Sequence, residues 1–338
     1  MQTSLTQFIP TLFQKAMHAT DCAGYLVAKC RQRLQETIAY ICLGCVLLPS
    51  MSQLIHGQDA NLRDVPRDLT LPPLQAGEPS AGVRVKRTTT DFPSESVYHV
   101  LYLPSNWEPN KSWPILVEFA GNGNYSNQLG DISTGKPEDC VIGYGLSGGQ
   151  DCIWVVLPYI EKKPDGTLSN ALQWWGDISE TKRYCLATLA EIRARYGGDR
   201  KRSVLCGFSR GAIGCNFFGL HDDEIAALWC GFFCHSHYDG VRTWPYAQSD
   251  RESALIRLQR LGKRRQWISH ENSVAEIENY LRPIRINGAS VADQCTFTSI
   301  PFPNHSAEWL LCDLPERTSA RKWLKEVLDE SANADKNR

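Results

Sequence analysis

Ser203-Val204-Leu205-Cys206-Gly207-Phe208-Ser209-Arg210-Gly211-Ala212-Ile213-Gly214-Cys215 decides how this chain reads. A short apolar run leads into Gly-x-Ser-x-Gly, and small and apolar residues at helical spacing follow. Val204 to Cys206 reads as a buried parallel strand and Arg210 to Leu220 as a helix, with Ser209 on the sharp turn between them. Such a turn leaves no room for a Cβ on either side of the serine, which accounts for Gly207 and Gly211. Ala212 and Gly214 let the helix lie close against the strand. The geometry lifts the Ser209 hydroxyl above the sheet edge, beside a helix N-terminus that favours negative charge.

Outward from this turn, strand and helix signals alternate. Val97 to Leu103, Ile115 to Ala120 and Ile153 to Leu157 read as strands upstream. A helix is expected over Ile178 to Tyr196, stopped by Gly197-Gly198. Downstream, Ala226 to Phe233, Arg265 to Ser269 and Cys295 to Ile300 read as strands, with a last helix over Pro315 to Leu328. The alternation predicts an α/β domain with a mostly parallel central sheet and helices on both faces.

The 338 residues carry a formal net charge of −1 and are 42% hydrophobic. That length suffices for one large core plus an N-terminal extension. A near-neutral balance gives no electrostatic reason for nucleic acid as a partner. Residues 1–58 read as a targeting segment: Lys15, Lys29, Arg31 and Arg33 precede an uncharged run from Thr37 to Ile55, whose apolar heart, Ile38 to Leu48, is followed by Ser50-Met51-Ser52 as a small-x-small pattern. Export to a periplasmic or extracellular location is expected. The alternative is an uncleaved anchor, which would associate the protein with a membrane. Residues 59–95, with five prolines, read as a linker and edge segment, and 96–338 as the catalytic domain. Nine of the 13 cysteines lie beyond residue 58. Cys140 and Cys152 flank a glycine-rich loop that a disulfide between them would close, whereas Cys206 and Cys215 read as small core residues. No cysteine spacing reads as a structural zinc site.

The strand–Gly-x-Ser-x-Gly–helix unit, within this order of strands, resembles the nucleophile elbow of the α/β-hydrolase family. The layout is most similar to its serine-esterase and dienelactone-hydrolase-like branch, with a likeness to secreted polyester depolymerases and feruloyl esterases. The resemblance implies the α/β-hydrolase fold and hydrolysis of a small-molecule or polymer-bound ester through an acyl-enzyme on Ser209, with no cofactor and no metal. It implies a histidine base after the last strand, where His305 stands, and the chain order serine, acid, histidine. The acid is then Glu271, after the strand Arg265–Ser269, or alternatively Asp239, after the preceding strand. The oxyanion donors implied are the Arg210 N–H and an N–H from the Gly121-Asn122-Gly123 loop, with Asn122 favoured over Gly121. Trp174 and Trp175 read either as a surface that stacks on an aromatic or sugar group, or as core anchors. His237 reads as rimming the site, and His235, His237 and Asp239 alternate along one stretch. The same constellation would serve a peptidase, an acyltransferase or a catalytically degenerate binding module.

Overall fold

A computed structural model describes residues 60–333. The expected targeting segment, 1–58, lies outside the described residues. Nine strands form one sheet: β1 Leu74–Gln75, β2 Arg84–Arg87, β3 His99–Tyr102, β4 Trp113–Phe119, β5 Ile153–Leu157, β6 Gly198–Phe208, β7 Gly231–His235, β8 Arg265–Glu271 and β9 Cys295–Ile300. Their spatial order is β1-β2-β3-β5-β4-β6-β7-β8-β9. Only β3 runs against its neighbours; every other pairing is parallel. This is the mostly parallel sheet that the resemblance to the α/β-hydrolases implies.

The central strands are apolar because both faces are covered. Every residue of β4 and β5 is buried, as expected for parallel strands between helical layers. One face carries α2 (Ile178–Tyr196), α3 (Arg210–Phe217), α4 (Arg251–Leu258) and α5 (Ala275–Leu281), through Tyr184, Leu189, Ile213, Leu258 and Leu281. The other carries α1 (Ile142–Ser147) and α6 (Pro315–Asn333), through Ile142, Leu146, Trp323 and Val327. Alternation along β6 follows: Leu205 packs into the first layer, Val204 and Cys206 into the second. Among the described residues no helix is long and apolar enough to cross a membrane.

Helix ends follow local chemistry. Asp177 caps α2 by accepting from the Glu180 N–H at 3.0 Å, and Gly197 ends it at φ 75°. The same chemistry corrects the expected strand Ala226–Phe233. Asp222 accepts from the Ile225 N–H at 3.0 Å and starts a one-turn helix, Asp223–Ala226, so the strand begins only at Gly231 and extends to His235. The helix expected over Arg210 to Leu220 ends at Phe217. The expected linker region already contributes β1 and β2 to the sheet. Cys140 and Cys152 are both free and buried, so no disulfide closes their loop; all nine described cysteines are free thiols. Cys206 and Cys215 lie in the core, each about 0–1% exposed.

Candidate active site

The parallel strands deliver their chemistry at one edge of the sheet. The carboxyl ends of β4, β6, β7, β8 and β9 lead to Asn122, Ser209, Ser236, Glu271 and His305, the edge where open α/β sheets bind ligands. Ser209 follows β6 with φ 53° and ψ −113°, a backbone that non-glycine residues rarely adopt. The close approach that forces it is visible at both glycines. A Cβ on Gly207 would lie 2.1 Å from the Gly211 carbonyl carbon, and one on Gly211 would lie 2.0 Å from the Phe119 oxygen. The Ser209 N–H donates to the His235 carbonyl at 3.0 Å, fastening the turn to β7. Ser209 is not openly exposed: only 8% of its surface is accessible, and it lines a cavity of about 230 Å³ together with His305, Arg210, Asn122, Tyr125, Trp174, Ile213, His237 and Trp244.

The Ser209 hydroxyl donates to His305 Nε2 at 3.1 Å. On the other side of the ring, Nδ1–H donates to Glu271 Oε1 at 2.7 Å and lies 3.0 Å from Ser236 Oγ. Glu271 is buried at the end of β8. Burial opposes its ionisation, but its surroundings, led by the hydrogen bond from His305, outweigh that and hold its carboxyl well below the usual carboxylate range. Its second oxygen, Oε2, has no hydrogen-bond partner among the described residues and lies 3.3 Å from His270 Nδ1. Asp239, the alternative acid, is engaged elsewhere: Arg257 Nε and Nη2 donate to its two oxygens at 2.9 and 3.0 Å, both partners buried. Burial pushes its carboxyl up to about 6, with Arg257 opposing.

The histidines and Asp239 on the β7 side separate rather than converge. His235 is fully buried, with Nε2–H donating to the Ser306 carbonyl at 3.1 Å and Nδ1 accepting from Ser269 Oγ at 3.0 Å. Burial lowers it to about 4 and keeps it neutral. His237 turns into the cavity, its Nδ1–H bonded to the Ser236 carbonyl at 2.8 Å. Among the described residues no three His, Cys, Asp or Glu side chains gather as a metal-binding set.

The two tryptophans also part. Trp175 is a core anchor, buried and stacked on Phe217 at 4.4 Å. Trp174 lines the cavity. The Arg210 N–H is a first-turn donor of α3, out of reach of any intrahelical carbonyl. Asn122 lines the same cavity, whereas Gly121 sits behind it, against the Phe208 ring. A second cavity of about 290 Å³ lies on that far side and reaches the buried Glu118; neither Ser209 nor His305 lines it.

Sequence reading missed what holds His305 in place. Buried Asp131 accepts from the His305 N–H at 2.9 Å through Oδ2 and from Asn304 Nδ2 at 2.9 Å through Oδ1. Asn304 in turn accepts from the Leu62 N–H at 2.7 Å and donates to Asn61 Oδ1 at 3.0 Å. Ser236, beside His305 Nδ1, has φ 87°. Asn127-x-x-Gly130 does carry a turn signal, and Asn127 Oδ1 accepts from the Leu129 and Asp131 N–H groups. Nothing local shows that this turn meets a loop 174 residues further on.

No family model and no curated protein matches the sequence. Among solved structures, the chain is similar to a fungal esterase from Rhizomucor miehei, at 11% identity and TM-score 0.48, over 75% of this chain and 85% of that one. It is similar to an S-formylglutathione hydrolase from Agrobacterium tumefaciens at 11% identity and TM-score 0.47, over 73% and 94%. It is also similar to the feruloyl esterase module from Clostridium thermocellum at 14% identity and TM-score 0.44, over 74% and 89%. Likeness this distant leaves the functional reading to the residues of the site.

Proposed function

We propose that this protein is a serine hydrolase that cleaves carboxylic esters through an acyl-enzyme on Ser209. One observation carries the reading: the unbroken relay Ser209 Oγ–His305–Glu271, at 3.1 and 2.7 Å, opening onto a cavity. A free serine hydroxyl is a poor nucleophile and needs an adjacent oriented base. In this reading His305 Nε2 takes the Ser209 proton as Oγ attacks the ester carbonyl carbon. Ionised Glu271 fixes the Nδ1–H tautomer and stabilises the imidazolium that forms. The Arg210 and Asn122 N–H groups receive the oxyanion, a contribution of about 10²–10³ in rate per donor in comparable sites. His305 then gives its proton to the departing alcohol, and water repeats the sequence on the acyl-enzyme.

A fluorophosphonate probe tests this directly. Wild type should label once, at Ser209, and Ser209→Ala not at all; His305→Ala should label slowly, because the hydroxyl survives without its base. Equal labelling of wild type and Ser209→Ala sinks the hydrolase reading and leaves a binding module. Export is likewise proposed, from the charged lead and apolar run before residue 58. Mass spectrometry of the mature protein should find its N-terminus near residues 50–60, and full-length chain recovered from the cytosol would overturn that.

A further inference from the structure

Trp174 stands at φ 49°, a left-handed backbone that bulky aromatic residues rarely adopt and that persists only where its surroundings impose it. Both ends of its peptide are held. Its N–H donates to Asn122 Oδ1 at 2.8 Å, and its carbonyl accepts from Arg210 Nη1 at 2.7 Å. These are the two residues whose backbone N–H groups are assigned above to the oxyanion. The Arg210 guanidinium is itself unusual. It is buried, lies 4.7 Å over the Tyr159 ring, and no carboxylate pairs with it among the described residues. It donates instead to the carbonyls of Ala120 at 3.2 Å and Ala171 at 3.3 Å. A buried charge and a strained backbone therefore coincide at one point, and both fix the Trp174 loop against the Ala120–Asn122 loop.

Packing alone does not account for this. The core position of the tryptophan pair is filled by Trp175. The Trp174 ring lies 5.8 Å from Trp244 and 5.2 Å from Tyr246, and with Trp244 it walls the catalytic cavity. That cavity holds about 230 Å³. An apolar cavity of about 150 Å³ admits benzene, so this one has room for roughly ten heavy atoms.

We propose that Trp174 is the specificity-determining wall of the acyl pocket, and that the substrates are esters of compact acids, a single ring or a short chain, with long fatty acyl chains excluded. This rests on the ester-hydrolase reading. An acyl group that pushes the wall back also pulls, through Asn122 and Arg210, on the donors that receive the oxyanion. Overlong acyl groups therefore lose kcat as well as affinity.

The test is a series of p-nitrophenyl esters: acetate, butyrate, octanoate, dodecanoate and benzoate. Wild type should favour butyrate or benzoate and fall by about 100-fold in kcat/KM at dodecanoate, part of that fall being in kcat. Trp174→Gly suits the left-handed backbone and removes the wall; it should raise the dodecanoate-to-butyrate ratio by about tenfold or more. Trp174→Phe, a smaller ring, should shift the ratio in the same direction by less, and supplies the reading should the glycine variant not fold. Wild type hydrolysing dodecanoate as well as butyrate, or a ratio unmoved in the variants, overturns the proposal. A wild type that cleaves no ester and takes no fluorophosphonate label overturns the ester-hydrolase reading itself, and this inference with it.

Discussion

Ser209 and His305 meet at 3.1 Å, and the two sides of that hydrogen bond are built differently. The Ser209 turn is local. Strand, turn and helix are consecutive, and the serine is fixed by backbone crowding at Gly207 and Gly211. The His305 loop has no regular structure between Ile300 and Glu308 and is held by side chains from remote segments: Asp131, Glu271, Ser236, and through Asn304 the stretch Asn61–Leu62. The serine's position is thus written into one short stretch, whereas the histidine's position exists only once the whole domain has closed. Damage to the first should be all-or-none, and damage to the second should be graded.

The largest effect is expected on the local side. Ser209→Ala should lower kcat by about 10⁶-fold, as removal of a triad serine does elsewhere, while leaving the melting temperature unchanged or slightly raised, since the smaller side chain removes no core volume. Gly211→Ala should instead unfold the turn, because its Cβ has no space beside the Phe119 carbonyl; circular dichroism melting would show a variant of wild-type stability if that crowding does not matter.

Next comes the acid. Glu271→Gln should act mainly on turnover, lowering kcat by about 10⁴-fold. Asp239→Asn should act mainly on stability, destabilising by about 3–5 kcal/mol because Arg257 is left buried and unpaired. Urea melts and steady-state kinetics on both variants separate the two roles, and exchanged phenotypes would move the acid back to β7.

Graded loss is expected from Asp131. Asp131→Ala removes the acceptor of the His305 N–H and should lower kcat by about 10²-fold, a loss typical of a base displaced by about 1 Å. Fluorophosphonate labelling of Ser209 should slow in parallel, while KM moves less. An unchanged labelling rate would show that Glu271 and Ser236 suffice to hold the ring.

The smallest effect is on acid stability. His235 has a folded pKa near 4 against an ordinary value of 6.5, so between those values the unfolded chain binds more protons than the native one. The His235 contribution to stability should therefore be constant above about pH 6.5 and be lost as pH drops toward 4, by at most about 3 kcal/mol. In His235→Asn that part of the decline should flatten; an identical acid limb in the variant would assign it to other groups.

The same contrast explains what was legible beforehand. Gly207, Ser209 and Gly211 could be read because steric demand within one turn selects residue types. Glu271 and His305 follow from their places, at the end of β8 (two residues beyond the expected strand end at Ser269) and after β9, where an α/β-hydrolase-like order puts them. Apolar Ala226–Trp229 reads as strand, but these residues close the capped helical turn Asp223–Ala226 and lead out of it to Gly231. Asp131, Asn304 and Ser236 stayed invisible: an aspartate in a glycine-containing turn looks like any surface aspartate until the fold brings it to His305. Trp174 and Trp175 are identical in sequence terms, and only tertiary packing sends one to the core and the other to the cavity.

The nine described thiols have a practical consequence. Seven are buried, and burial pushes those of Cys152 and Cys185 up to about 12, far from the thiolate form that alkylating reagents attack. Cys206, Cys215 and Cys234 sit on β6, α3 and β7, the elements that carry the Ser209 turn and its neighbour. In the folded state these three thiols are buried away from iodoacetamide, and each opening of the central sheet uncovers a nucleophile. Pulsed alkylation with mass spectrometry can then time how often the Ser209 end of the sheet comes apart, residue by residue, with no label introduced into the protein.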